Sequence, residues 1–294
     1  MSLCCGLINL HKPSGISSRQ AVDVVKRLAR PAKTGHAGTL DPLASGVLVV
    51  CVGPATRLIE YVQQMPKRYT GTFLLGRSSP TDDVEGELTA LLDPPRPTLA
   101  EIERAAASLT GEILQRPPAY SALKVHGRRA YDLARQGRQV DLPPRPVSVY
   151  RLEVTGYEYP ELALTIECGS GTYVRALGRD LAGSLNTAAV MSALVRTAIG
   201  DFRLEDACRP EQLTRENLPE WLSPPARAVE RLASVRLTAA EATQLRRGIA
   251  IARSVDSASG DERAAIGPDG ELVAVVEVQA NGRLRPARVL PFEV

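Results

Sequence analysis

The apolar positions of this chain fall into two rhythms. Val47–Val52 is a continuous apolar run with the length and β-branched content of a buried strand. Lys67–Leu75 alternates apolar and polar and predicts a second strand, and a short apolar stretch over residues 3–10 predicts an earlier one. Val147–Tyr157 and Glu161–Cys168 read as a strand pair, and Val190–Ile199 as the last apolar strand of this part of the chain. The other rhythm is helical. Ala21, Val22, Val25, Leu28 and Ala29 share one face of a helix opened by Ser17 or Ser18 and stopped by Pro31. Ala55, Leu58, Ile59 and Val62 make a second apolar face after Pro54. The capping box Thr98-x-x-Glu101 opens a helix to about Ser108, and residues 172–181 enter another with Leu177 and Leu181 inward.

From about Val235 the pattern resets. A second capping box, Thr238-x-x-Glu241, opens a helix ended by Gly248. Short strands at 264–266, 272–278 and 284–290 follow, with turns at Pro268-Asp-Gly270 and Asn281-Gly282, which fit a small barrel. Pro219, Pro224 and Pro225 mark a linker before this reset, so two domains are expected, residues 1–230 and 231–294. Strands and helices interleave irregularly. The expected class is therefore α+β: a mixed, largely antiparallel central sheet flanked by helices, plus a small C-terminal β-barrel.

Composition narrows the class of function. The 294 residues are 44% hydrophobic and 23% charged, which are globular values. No apolar stretch is long enough to span a bilayer and the N-terminus carries no secretory pattern, so the expected location is the cytoplasm, without a membrane partner. Five cysteines without a Cys-x-x-Cys pair and three scattered histidines predict neither a disulfide framework nor a zinc site. A net charge of +3 says little by itself, but its distribution says more. Residues 115–146 carry seven basic side chains (Arg116, Lys124, Arg128, Arg129, Arg135, Arg138 and Arg145) against Asp132 and Asp141, interleaved with Tyr120, His126 and Tyr131. Basic and aromatic groups so mixed suit phosphate contacts and base stacking; a solvated basic helix from Arg128 to Gln136 is the alternative. The segment is long for a connection between core elements, which favours function.

The candidate chemistry lies in Gly35–Gly46, a glycine-punctuated loop with one carboxylate, Asp41, anchored on the next strand. On spacing alone, Asp before Pro reads more readily as a turn initiator or cap than as a catalyst.

The loop Gly35-His-Ala-Gly-Thr-Leu-Asp-Pro-Leu-Ala-Ser-Gly46 resembles the tRNA pseudouridine-55 synthase family of the bacterial TruB type, and the resemblance recurs in order along nearly the whole chain. Lys12-Pro-x-Gly-x-Ser-Ser18 is similar to the family's N-terminal turn, and Lys67-Arg-Tyr69 to its tyrosine strand. Tyr120-Ser-Ala-Leu-Lys124, with Gly127, Tyr131, Ala134, Arg135 and Gly137, is similar to the insertion that closes on RNA. Gly171-Thr-Tyr-Val-Arg175 is similar to the arginine strand, and the C-terminal barrel to a PUA-like domain. The chain departs at His11, where an acid is expected, at Ser79-Pro80, and at Leu194-Val-Arg196, which has one arginine where two are common.

The resemblance implies Asp41 as the essential carboxylate, Tyr69 as the aromatic residue against the target base and Arg175 as the ion partner of the aspartate. It implies Leu194 as an apolar wall, His36 as the side chain that reaches into the T-loop, and Lys12 with Pro13 as supports of the catalytic loop. Tyr173, Asp83, Lys124, Arg128 and Arg129 are the further expected substrate contacts. The implied partner is the T-arm of tRNA, met by a monomer without guide RNA. Isomerising uridine to pseudouridine breaks N1–C1′ and forms C5–C1′ with no net redox change or hydrolysis. Neither a cofactor nor a metal is expected. A carboxylate suffices, as nucleophile at C1′ or as base at the 2′ proton. A stacked base hides its glycosidic bond, so the uridine must be flipped out. A binding module that only refolds tRNA, and a guide-RNA-dependent synthase, are the alternatives.

Overall fold

The structure is a computed structural model that describes residues 4–121, 123–125, 128–136, 142–253 and 258–290. In chain order, the principal strands are β1 (Gly6–Lys12), β2 (Thr34–His36), β3 (Ser45–Val52), β4 (Lys67–Leu75), β5 (Gly111–Gln115), β6 (Arg145–Glu158), β7 (Glu161–Cys168) and β8 (Ala189–Ile199). They continue with β9 (Ser234–Arg236), β10 (Ile251–Ala252), β11 (Glu262–Ile266), β12 (Leu272–Val278) and β13 (Arg283–Val289). The helices are α1 (Ser18–Leu28), α2 (Ile59–Gln64), α3 (Leu99–Ser108), α4 (Ala130–Arg135), α5 (Val174–Ser184) and α6 (Ala239–Arg246). The class is mixed α+β, as expected from the irregular interleaving.

Two compact units divide the chain. The first comprises Met1–Asp41, Val47–Gln64 and Glu205–Val294. Here β1 lies beside β3, which also pairs with β2, antiparallel, through Thr34 to Val52 and His36 to Val50. α1 buries the predicted face, with Ala21, Val22, Val25 and Ala29 against Ile8, Leu10, Leu48, Val50 and Val52. The proline-rich stretch expected as a linker is packed instead: Leu218 is buried in this same cluster, and Ser223 exchanges both backbone hydrogen bonds with Leu7, at 2.9 and 2.8 Å. The unpaired edge of β1 needs these partners, which outweighs the proline composition.

The same unit holds a five-stranded sheet in the order β9-β11-β12-β13-β10, closed over Ala242 and Leu245 of α6. Thr238 and Glu241 form the predicted capping box. Among the described residues, polar contacts join this sheet to α2 and the turn before it. Tyr61 Oη donates to Glu262 Oε1 at 2.9 Å, Arg288 pairs with Glu60 at 3.4 Å, and Arg57 donates to the Val289 carbonyl.

The second unit comprises Pro42–Gly46 and Met65–Leu204. Its strands run in the order β8-β4-β7-β6-β5, every neighbour antiparallel. Ser45 and Gly46, at the start of β3, lie parallel to Val195 and Arg196 of β8. α3 packs on β6 and α5 on β8. The fit of α5 depends on Gly178: a Cβ there would stand 2.1 Å from Phe73 Cε1 of β4. In the basic segment, Lys124–Val125 pairs with Arg128–Arg129, and α4 begins only at Ala130. The helix that the alternative reading began at Arg128 starts two residues later, because the backbone of Arg128 and Arg129 is already engaged by Lys124 and Val125.

Candidate active site

In the first unit the turn after β1 is built around Lys12. Its side chain is fully buried, and Nζ donates to the carbonyls of Pro13 at 2.8 Å and Ile16 at 2.7 Å. A buried ammonium needs such acceptors, and two carbonyls held by one cation fix the turn between them. The two serines next in the chain divide two tasks. Ser17 caps α1 in a reciprocal box with Gln20. Ser18 is buried, and its hydroxyl accepts from the Leu40 amide at 2.8 Å and donates to the Leu40 carbonyl at 2.9 Å. Both backbone polar groups of a buried residue are thereby satisfied by one side chain. Asp41 is only partly buried and comes directly after Leu40, a residue held at both its amide and its carbonyl. His36 sits at the end of β2, opposite Val50, rather than on the loop. The loop proper begins at Ala37, whose amide still donates to Val49 at 2.9 Å.

In the second unit, Tyr69 and Leu194 lie on neighbouring strands. Tyr69 is opposite Arg196 and Leu194 is opposite Gly71, so the two side chains are one step apart across β4 and β8. Gly71 makes the room: a Cβ there would press on both Leu194 Cδ1 and Phe73 Cε2 at 3.3 Å. Tyr69 is buried, on the same face of β4 as Lys67, Phe73 and Leu75. Lys67 is only 6% exposed, and burial, reinforced by Arg196, holds its ammonium down to about 8.

Arg175 leaves the first turn of α5 and is buried in a polar nest. Nη1 lies 3.4 Å from Asp83 Oδ2 and donates to the Thr81 carbonyl at 2.5 Å, while Nη2 donates to the Tyr120 carbonyl at 3.0 Å. Asp83 is buried as well, and its Oδ1 accepts from Thr81 Oγ1 at 2.6 Å and from the Glu85 amide at 3.1 Å. The sequence offered Asp83 as a substrate contact; its geometry suits it to orient Arg175. Tyr173 is half-buried. Gln115 brackets its peptide, donating to its carbonyl at 3.1 Å and accepting from its amide at 2.8 Å, while the Arg145 guanidinium lies 5.3 Å from its ring centre.

The side chains of Lys124, Arg128 and Arg129 lie outside the described residues, as do His126 and Arg138. Among the described residues no group of three His, Cys, Asp or Glu side chains could hold a metal ion, and no helix is long and apolar enough to cross a membrane. The residues to which sequence reasoning gave no place in the site are Ser18, Gln115, Asp82 and Arg179, and Arg145 it read only as one of seven basic side chains. Only Ser18 left a signal: two adjacent serines stood where one cap was needed.

Residues 26–174 match the family model described as TruB family pseudouridylate synthase, N terminal domain, and residues 232–291 match that described as tRNA pseudouridine synthase II, C terminal. The chain is 42% identical over 297 residues to the tRNA pseudouridine synthase B of Arthrobacter sp. (strain FB24), covering 97% of this chain and 96% of that one. To the protein of the same name from Bradyrhizobium diazoefficiens it is 41% identical, covering 97% and 85%. Among solved structures, a chain of a Cbf5-Nop10-Gar1 complex aligns with a TM-score of 0.74 at 25% identity over 97% of this chain and 85% of that one. A chain of the archaeal box H/ACA sRNP Nop10-Cbf5 complex aligns with a TM-score of 0.75 at 22% identity, over 99% and 88%. The second of these likenesses concerns the fold alone.

Proposed function

Because the chain belongs to the TruB family of pseudouridine synthases, we propose that it isomerises uridine 55 in the T-loop of tRNA, with Asp41 as the catalytic carboxylate. The observation that carries the choice of Asp41 is the tie between Ser18 and both polar groups of Leu40. A group that must meet a sugar carbon within a few tenths of an ångström gains from a backbone that cannot drift.

The reaction moves one bond. The N1–C1′ pair leaves with the base, the base turns, C5 bonds to C1′, and the C5 proton is lost while N1 gains one. An ionised Asp41 serves either as nucleophile at C1′ or as base at the 2′ proton. Tyr69 offers a flat face to the flipped base and a hydroxyl for the C5 proton, and Leu194 an apolar wall. Arg175 orients the reacting groups with its guanidinium fork, and Asp83 keeps Arg175 oriented. His36 takes the place the uridine leaves in the stack. Lys124, Arg128, Arg129 and Tyr173 meet the RNA, Lys12 holds the supporting turn, and residues 231–294 form an RNA-binding module along the stem. The partner is free tRNA, met in the cytoplasm by a monomer without guide RNA or cofactor.

Mapping pseudouridine on an unmodified tRNA transcript incubated with this protein alone tests the reading. Modification at position 55 is expected, and its absence until a guide RNA or partner protein is added would refute it. Asp41→Asn should abolish tritium release from 5-labelled uridine RNA while RNA binding persists; retained release would remove Asp41 from the chemistry.

A further inference from the structure

Both ends of the basic insertion are tied to one short stretch, residues 171–179. At the entry, Gln115 brackets the Tyr173 peptide; at the exit, Arg145 donates to the Gly171 carbonyl at 2.8 Å and lies over the Tyr173 ring. Between them, residues 116–120 belong to no helix or strand. Two arginines one turn apart on α5 reach carbonyls of this stretch, Arg175 that of Tyr120 at 3.0 Å and Arg179 that of Arg116 at 2.6 Å. Each also reaches one of two adjacent aspartates. Arg175 pairs with Asp83, and Arg179 Nη1 bonds Asp82 Oδ2 at 2.9 Å while its Nε bonds Asp180. Asp82 is itself pinned: its backbone is left-handed at φ 60°, and its carbonyl accepts from the Met191 amide of β8 at 3.0 Å.

Two parallel bridges therefore run from α5, each joining a fixed aspartate to the first turn of the insertion. The Arg175 bridge has a place in the proposed reaction; the Arg179 bridge has none there. We propose that Arg179 is a positioning residue that sets how the RNA-binding insertion leaves the core, and through it the affinity for RNA, by joining Asp82 to the Arg116 carbonyl. The inference rests on the reading that residues 115–146 meet the RNA. The pair is partly shielded from water, Asp82 more than Arg179, so the contact is stronger than an open surface pair. The guanidinium fork matters as much as the charge: one edge serves Asp82 and another nitrogen serves the carbonyl, which a lysine cannot do at once. A bridge of this kind acts on binding before it acts on chemistry. With it broken, the insertion samples other exits, and the competent one must be selected from a smaller population.

The test uses the full chain with an unmodified tRNA transcript. For Arg179→Ala, Kd by filter binding and KM should rise together by roughly tenfold, a size within the usual range of coupling between sites, while kcat changes by less than about twofold. Arg179→Lys should recover part of the loss, because it keeps the charge opposite Asp82. Asp82→Asn tolerates the left-handed backbone and removes the charge, so it carries the test should Arg179→Ala not fold. It should raise Kd in the same direction, and the double variant should be no weaker than Arg179→Ala alone. An unchanged Kd in folded Arg179→Ala and Asp82→Asn, or a fall in kcat at constant KM, would overturn the inference. Wild-type protein that binds tRNA but forms no pseudouridine would instead sink the catalytic reading and leave this one to the Kd values.

Discussion

Replacing Ser18 with alanine removes one oxygen and strands two buried backbone groups. The hydroxyl is the partner of both the Leu40 amide and the Leu40 carbonyl, at 2.8 and 2.9 Å, and Leu40 is only 4% exposed. A buried polar group left unpaired costs about 1–3 kcal/mol, so two of them, partly relieved by relaxation, should cost about 2–4 kcal/mol. The neighbouring serine supplies the control. Ser17→Ala strips the cap from α1, a loss of about 1 kcal/mol, and leaves Leu40 tied. The two variants differ by one position and should differ in stability by roughly 1–3 kcal/mol. Trp221 is the sole tryptophan and packs on the cluster that holds Ala21, Val22 and Val25, so its fluorescence tracks this core through urea denaturation. With a slope of about 3 kcal/mol per molar, Ser18→Ala should lower the midpoint by about 1 M. Single-turnover isomerisation should fall as well, by up to roughly 100-fold if the carboxylate of Asp41 moves by about an ångström. Equal or smaller destabilisation by Ser18→Ala than by Ser17→Ala would refute the reasoning. So would a fall in stability with the single-turnover rate intact, since the loop would then hold Asp41 without Ser18.

Lys67 makes a pH prediction. Burial lowers its folded pKa to about 8 from the ordinary 10.5, so between those values the unfolded chain binds more protons and stability rises with pH. Below about 8 the lysine is charged in both states and the penalty is constant. The rise amounts to roughly 3 kcal/mol. The thiols of Cys51, Cys168 and Cys208, pushed up by burial, pull the other way above about pH 9, so the rise is read as the difference between the urea midpoints of the wild type and of Lys67→Met from about pH 7.5 to 10.5. Gly178→Ala places a methyl 2.1 Å from Phe73 and should lift α5, lowering stability by about 3 kcal/mol or more; Phe73→Leu in the same chain should restore part of it, as read by thermal unfolding.

Much of the fold could be read from the sequence because its strongest signals are local. The alternation of Lys67–Leu75, the run ending at Val52 and the capping boxes at Thr98 and Thr238 are each complete within ten residues, and all appear as elements. What escaped was decided by partners far along the chain. Ser18 serves Leu40, 22 positions on, which no helix-capping rule includes. His36 joins a strand because Val50 offers it a ladder, although its own neighbourhood of glycines reads as a loop. The residues around Pro224 look like a linker by composition, yet Leu7 takes up the backbone of Ser223. Asp83 illustrates the limit for site residues. The sequence names Asp83 as a site residue, but not the Arg175, Thr81 and Glu85 that the fold brings around it. Arg179 gave no signal, since an arginine on a helix surface is ordinary until its fork is seen between two fixed groups.

The pairing of Gln115 with Arg145 across β5 and β6 has a consequence for how such a chain can change over time. The basic insertion departs and returns through facing residues of one strand pair, so whatever lies between them closes a loop whose ends are already joined. Lengthening a closed loop costs little: each doubling adds only about 0.6 kcal/mol. Insertions, deletions or wholesale exchange of residues between these two anchors leave the register of β5 and β6 untouched. The segment that meets the RNA can thus be rewritten for a different RNA contour while the sheet beneath it, and the arginines that grip its root, stay as they are.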